Sequence, residues 1–229
     1  MIVLGIDTSA YANAVGLVDG KKVLANSQCE ARTNSLEKIV SHINLVLKGA
    51  GLTLGEVQGF GVGLGPGSWT GVRVGVTVGK VLAFSTEKPV AGVPTLAALA
   101  YHAREESSLI CPVISTGAGD TVYAAFYRSQ AGAVTRTGEY YVGDIQKLIG
   151  MIREPTVLVG DESQLCNLWP HQAQDNIKIV PAVPDGSVVA RLAAIRLEAG
   201  DSDDALSLAP LYLKESTARA FLGRYASKN

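Results

Sequence analysis

The sequence predicts a mixed α/β fold with two lobes, and three observations support this prediction. The chain opens with apolar runs from Ile2 to Ile6 and from Ala12 to Val18, and the second run ends in an Asp-Gly pair typical of a turn between antiparallel strands. Strand-like runs then alternate with segments whose apolar residues have helical spacing. The polar stretch 104–108 interrupts this alternation. We therefore expect a first lobe over residues 1–106 and a smaller α/β lobe over residues 107–229.

Composition indicates a folded protein and excludes several classes of function. The chain has 229 residues, 47% of them hydrophobic, and its 20 basic and 21 acidic residues argue against a stand-alone nucleic-acid binder. Its three cysteines include no CxxC, which favours a reducing cytoplasm over a disulfide framework or a zinc site. No secretory signal opens the chain, and its most apolar window, 72–84, is too short to span a bilayer. We expect a cytoplasmic protein without a membrane segment.

Each lobe is predicted to contain both strands and helices. After the opening strands, apolar residues recur at helical spacing from Asn34 to Lys48, with Asn34 or Ser35 as the N-cap. Further strands are predicted at 57–64, 90–93, 109–114, 122–127, 139–142 and 156–159, and further helices at 72–84, 94–103, 145–152 and 187–198.

The glycine-rich loop 65–71 lies between a predicted strand and a predicted helix. Its spacing matches neither a dinucleotide fingerprint, nor a Walker loop, nor a hydrolase elbow. Ser68 and Thr70 can cap the helix that follows. The loop is either a tight turn for close packing or an anion site built from backbone N–H groups at the helix start. Asp7, at the end of the first strand, belongs either to a strand-end turn or to the same anion site. Candidate anion- or nucleotide-proximal residues are Asp7, Thr8, Ser9, Gly65, Gly67 and Ser68.

No catalytic residue, metal site or cofactor is predicted. The three histidines are isolated, without an H-x-x-x-H or H-E-x-x-H spacing, and no acidic pair has the setting of a general acid and base.

Three glycines, Gly71, Gly75 and Gly79, recur every four residues along one face of the second predicted helix. Glycine costs about 1 kcal/mol relative to alanine inside a helix, so an offsetting close approach to another element is expected. That element could belong to this chain or to another one.

Four blocks taken together resemble the TsaB family of bacteria. They are residues 2–9 (IVLGIDTS), 65–75 (GPGSWTGVRVG), 92–96 (GVPTL) and 210–214 (PLYLK), whose order and spacing agree over nearly the whole chain. Members of that family are non-catalytic subunits of the machinery that makes threonylcarbamoyladenosine next to the tRNA anticodon. The resemblance implies two RNase H-like lobes of the actin/Hsp70/sugar-kinase type.

The resemblance also implies partners. Members of the family pair with their catalytic relative TsaD, or with a second copy of themselves when alone, through the two long helices of the first lobe. The ATPase TsaE joins this complex. Contact with tRNA is made only through the complex. The metal-binding histidines of TsaD fall by register at Thr95 and Leu99, which cannot hold iron or zinc. We expect the glycine line of Gly71, Gly75 and Gly79 to contact the partner. The expected interface residues are Asn34, Ser35, Lys38, Ile39, His42, Thr70, Arg73, Val74, Gly75, Val78 and Gly79.

Two hypotheses of function follow. The first is a scaffold subunit that supports transfer of threonylcarbamoyl from its adenylate to tRNA. The alternative is a small-molecule kinase or phosphotransferase of the same fold, using Asp7 and the loop 65–71. The sequence departs from the family pattern at Asn34-Ser35, where His and then Ser or Thr is usual, and at Ser115-Thr116-Gly117, where Asp-Ala-Arg is usual.

Overall fold

The chain folds around two β-sheets, in a computed structural model that describes residues 1–10, 12–30, 38–168 and 176–213. Sheet 1 has the strand order β3-β2-β1-β4-β5. The predicted opening meander is confirmed, because β1, β2 and β3 pair antiparallel, whereas β4 and β5 run parallel to β1. The strands are β1 Ile2–Asp7, β2 Ala12–Asp19, β3 Lys22–Glu30, β4 Gly59–Gly63 and β5 Val90–Val93.

Three helices of the first half of the chain cover sheet 1. Helices α1 (Ile39–Gly49) and α2 (Trp69–Thr86) pack on the same face, in a core that contains Leu4, Ile6 and Leu17. Helix α3 (Thr95–Tyr101) lies on the other face and also contacts the second sheet. No helix in the described ranges combines the length and hydropathy needed to cross a bilayer.

Sheet 2 is built from the strands that follow the predicted break. Its order is β10-β7-β6-β11-β12, and the β8–β9 hairpin pairs with β6. A helix, α4, packs on it through Ile145 and Leu148. The elements are β6 Leu109–Ser115, β7 Thr121–Ala124, β8 Tyr127–Gln130, β9 Ala133–Arg136, β10 Tyr141–Asp144, α4 Ile145–Met151, β11 Thr156–Gly160, α5 Glu162–Leu168 and β12 Ile177–Pro181.

One predicted strand, 122–127, is divided in the structure into β7 and β8. Both pieces pair with β6 in one register, since Val113 is opposite Ala124 and Ile110 is opposite Tyr127. Pro112 lies opposite the interruption and has no N–H to donate to a ladder. The prediction of one strand was therefore wrong, and β9, α5 and β12 were not predicted.

The last helix, α6 (Gly186–Glu198), follows sheet 2 in the chain but packs on sheet 1. A Cβ atom on Gly16 would lie 2.1 Å from the backbone nitrogen of Ser187, and one on Gly5 would lie 2.2 Å from the carbonyl oxygen of Gly186. The start of α6 is thus in backbone contact with β1 and β2. Along the chain, sheet 1 ends and sheet 2 begins on either side of the predicted boundary, but α6 packs back on sheet 1. The lobe boundary at 106/107 therefore stays a prediction.

The segment after α6 runs along the edge of sheet 1. The backbone N–H of Asp203 donates to the Val90 carbonyl at 2.8 Å, and its carboxylate accepts from the N–H of Gly92 at 2.7 Å. Lys80 of α2 donates to the carbonyls of Leu206 and Leu208, both at 3.0 Å. These bonds cover the edge of β5, which would otherwise be open to pairing.

Candidate functional site

The end of β1 carries a closed cluster of polar side chains. Asp7 is fully buried, and Thr8 and Ser9 are nearly so. One carboxylate oxygen of Asp7, Oδ1, accepts the backbone N–H of Ser9 at 2.8 Å, and Oδ2 accepts the hydroxyl of Thr95 at 2.8 Å. The hydroxyls of Ser9 and Thr95 are 3.2 Å apart. The first residue of α3 therefore closes over the end of β1.

The glycine-rich loop packs directly on this cluster. The N–H of Ser68 donates to the Ser9 carbonyl at 2.7 Å, and the N–H of Thr95 donates to the Gly65 carbonyl at 2.9 Å. A Cβ on Gly67 would lie 2.2 Å from the carbonyl oxygen of Ser9. The structure thus brings together the predicted residues Asp7, Thr8, Ser9, Gly65, Gly67 and Ser68, and anion binding there stays a prediction.

The start of α2 is fixed by two of these residues. Ser68 is the N-cap and accepts the N–H of Gly71 at 3.3 Å, as the sequence predicted. Thr8 donates from its hydroxyl to the Gly71 carbonyl at 2.6 Å. The loop is therefore used for packing between β1, α2 and α3.

Burial raises the pKa of the Asp7 carboxyl above its ordinary value, and the hydrogen bonds from Ser9 and Thr95 only oppose this shift. A buried carboxylate is costly unless it is hydrogen-bonded, and here both oxygens have donors. A phosphate cannot reach this carboxylate in the observed conformation, because Asp7 has no exposed surface.

The positions at which the resemblance places the metal-binding histidines of the catalytic relative are buried. Thr95 and Leu99 are at most 1% exposed, and Leu99 packs in the core between α3 and sheet 2. Within the part of the chain that the structure describes, no group of three or more His, Cys, Asp or Glu side chains could hold a metal ion.

The glycine line of α2 faces sheet 1, so the expectation that it contacts a partner was wrong. A Cβ on Gly71 would lie 2.0 Å from the Thr8 carbonyl oxygen, and one on Gly75 would lie 2.3 Å from the Thr8 hydroxyl. A Cβ on Gly79 would lie 2.2 Å from the side chain of Val62. The helix needs glycine here because its backbone lies against Thr8, the residue after β1, and against Val62 of β4.

Two predicted interface residues of α1 also point inward. Ile39 is part of the core, and His42 is 7% exposed with its Nε2 atom 2.9 Å from the hydroxyl of Ser27. Burial lowers the pKa of His42. Asn34, Ser35 and Lys214 lie outside the described residues.

The outward halves of α1 and α2 expose a different set of side chains. Of the predicted residues, Lys38, Thr70 and Arg73 are exposed, and Val74 and Val78 are half-buried. Sequence reasoning missed four large apolar side chains on these helices that are 57–66% exposed. They are Val40, Leu45, Val81 and Phe84.

An aromatic cluster lies at the start of α2, where sequence reasoning predicted only Arg73. The rings of Trp69 and Tyr212 stack with centroids 4.3 Å apart. The guanidinium carbon of Arg73 lies 4.2 Å from the Trp69 centroid, and its Nε donates to the Tyr212 hydroxyl at 3.0 Å. The cluster attaches the C-terminal segment to α2, and only the fold reveals it because its members are far apart in sequence.

Comparisons with known proteins identify the family. A family model described as TsaD, tRNA N6-adenosine threonylcarbamoyltransferase, matches residues 25–205, which is well over half of the chain. The chain belongs to this family.

Within it, relatives named TsaB align over much of the chain. The tRNA threonylcarbamoyladenosine biosynthesis protein TsaB of Bacillus subtilis is 28% identical over 168 residues, 72% of this chain and 73% of that protein. TsaB of Escherichia coli is 30% identical over 134 residues, 58% of each protein. These relatives confirm the resemblance to TsaB.

The solved structure of YeaZ from Pseudomonas aeruginosa superposes with a TM-score of 0.77 at 24% identity, covering 93% of this chain and 99% of that one. Together with the family match, this likeness confirms the predicted RNase H-like fold of the actin/Hsp70/sugar-kinase type.

We expect Asp7→Asn to remove a pH-dependent loss of folding stability. A raised folded-state pKa means that the folded chain binds the proton more tightly, so wild-type stability falls as pH rises above the unfolded pKa of about 4. Asparagine keeps an acceptor for Ser9 and carries no charge. The free energy of unfolding of the variant minus that of the wild type, from urea titrations, should increase between pH 4 and pH 7. A difference that does not change with pH would contradict this interpretation.

We expect Gly71→Ala to destabilise the fold. Its Cβ would collide with a backbone carbonyl, and overpacking costs typically about 1–3 kcal/mol. The matched control is Gly49→Ala at the end of α1, where a Cβ meets nothing within 4 Å and the change should be neutral or slightly stabilising. Thermal unfolding by circular dichroism measures both. If Gly71→Ala keeps wild-type stability but binds the partner more weakly, the glycine line would instead belong to the interface.

Proposed function

We propose that the chain is a non-catalytic scaffold subunit that pairs with TsaD. In this role it supports transfer of the threonylcarbamoyl group from threonylcarbamoyl-adenylate to the adenosine next to the tRNA anticodon. Family membership and the relatives named TsaB support the tRNA-modification role. The closed cluster of Asp7 and Thr95 is the observation that supports a non-catalytic role.

In that cluster, the side chains that a catalytic centre would use are already engaged. Thr95 stands where the resemblance places a metal-binding histidine, and its hydroxyl donates to Asp7. Leu99, at the second such position, is a core residue. We infer that the metal and the reacting groups belong to the partner and that this chain contributes a binding surface.

The proposed binding surface is the outward side of α1 and α2. The two helices lie on one face of sheet 1, where α1 contacts β2 and β3 while α2 contacts β1 and β4. Their four exposed apolar side chains, with Lys38 and Arg73 as exposed charges, have the composition of a protein interface. TsaD would occupy this surface, or a second copy of the chain in its absence.

Other members of the assembly follow from the same proposal. TsaE joins the complex, and tRNA is bound through the complex because a net charge of -1 provides little attraction for phosphates. The proposal places the chain in the cytoplasm.

The test is Phe84→Glu. Phe84 is 66% exposed, so glutamate should leave the isolated fold intact while introducing an unpaired charge within the proposed interface. We expect the affinity for TsaD, measured by analytical ultracentrifugation, to fall at least about tenfold. The control is Met151→Glu on α4, which is 53% exposed and lies over sheet 2. Equal affinities for Phe84→Glu and wild type would place the interface elsewhere.

The kinase hypothesis has a separate test. Since the Asp7 carboxylate is enclosed, we expect the purified chain alone to hydrolyse ATP at background rate in a phosphate-release assay. Steady turnover that is lost in Asp7→Ala would instead support the phosphotransferase hypothesis.

A further inference from the structure

A cavity of about 500 Å³ lies on the face of sheet 1 opposite α1 and α2. Its walls come from the end of β5, from α3 and α6, and from the tip of the β8–β9 hairpin. Ala97, Val93 and Leu192 give the cavity an apolar lining. A volume of this size is typical of small-molecule sites, and the proposed function does not use it.

The hairpin forms one side of this cavity and is hydrogen-bonded to the turn that follows α3. Ser129 donates from its hydroxyl to the carbonyl of Arg104. The hairpin tip, Ala131 and Gly132, has φ values of 52° and 78°, the left-handed region that a tight two-residue turn requires. A ligand in the cavity would therefore contact elements of both sheets.

Two guanidinium groups line the cavity, and among the described residues only Arg104 has no firmly held carboxylate partner. Arg196 is held by Asp201 at 2.6 Å and by Asp203 at 2.9 Å, so its charge is neutralised within the chain. Arg104 donates to the Tyr101 carbonyl at 3.1 Å, and its carboxylate partner among the described residues is Glu105 at 3.3 Å, whose side chain is 81% exposed. Such exposed ion pairs contribute little, so Arg104 can exchange Glu105 for an anion in the cavity.

Tyr101 supplies a second polar group beside Arg104. The residue is 8% exposed, and the Arg104 guanidinium carbon lies 4.4 Å from its ring centroid. The residue lines the cavity, and its hydroxyl makes no hydrogen bond to the described residues and is not one of the enclosed unpaired polar atoms, so it is open to the cavity. The hydroxyl is therefore accessible as a donor to a ligand in the cavity.

We propose that this cavity binds a small apolar carboxylate. The apolar part of the ligand lies between α3 and α6, and its carboxylate accepts hydrogen bonds from Arg104 and from the hydroxyl of Tyr101. The apolar lining and a single available guanidinium favour one negative charge on an otherwise apolar molecule.

The experiment uses 2-naphthoate as the probe and 2-naphthalenemethanol as its uncharged analogue. Binding to the full chain is measured by isothermal titration calorimetry. We expect Arg104→Gln to weaken naphthoate binding at least about fivefold and to leave binding of the alcohol unchanged. The matched control is Arg128→Gln, which removes another surface arginine with an exposed glutamate partner outside the cavity.

Two further variants fill the cavity. Ala97→Trp and Ala133→Trp should each abolish binding of both probes, and because Ala133 is exposed, its variant should fold even where Ala97→Trp does not. No binding of naphthoate at millimolar concentration to the wild type would overturn the proposal. So would naphthoate binding that persists in a folded cavity-filling variant, or an Arg104→Gln variant that weakens both probes equally.

Discussion

Backbone contact between helices and the first sheet is the constraint on which this structure depends. Gly5, Gly16 and Gly186 let α6 lie directly on β1 and β2, and Gly71 and Gly75 let α2 approach Thr8 on the other face. Helices normally stand off a sheet by the length of their side chains, so these contacts draw the layers together. The position of the loop over the end of β1 follows from this approach.

The closed cluster at Asp7 is a direct consequence. With α2 seated on Thr8 and α3 starting at Thr95, the space beyond β1 is filled by hydroxyls and a loop backbone. Both oxygens of the Asp7 carboxylate accept hydrogen bonds, and the residue has no contact with solvent. In our proposal the fold keeps the architecture of an active centre and uses it for packing, while its outer helices carry the interaction with a partner.

The C-terminal part of the chain joins the two sheets. Helix α6 and the segment around Asp203 complete sheet 1, and the β8–β9 hairpin of sheet 2 lies beside α3 and α6. Where these elements meet they do not fill the volume, and the cavity at Tyr101 and Arg104 results. The proposed carboxylate site therefore depends on the arrangement of both sheets.

The sequence alone determined much of the local structure and the family. Turn chemistry predicted the meander, strand 90–93 was predicted with its observed bounds, and Ser68 was predicted as a cap, because each depends on neighbouring residues. Helical spacing also placed the three glycines of α2 on one face, but periodicity does not identify what covers that face. Only the tertiary structure decided that sheet 1 covers it, that α6 returns to the first sheet, that Pro112 divides a strand, and that Tyr101 faces a cavity, because each results from contacts between residues far apart in the chain.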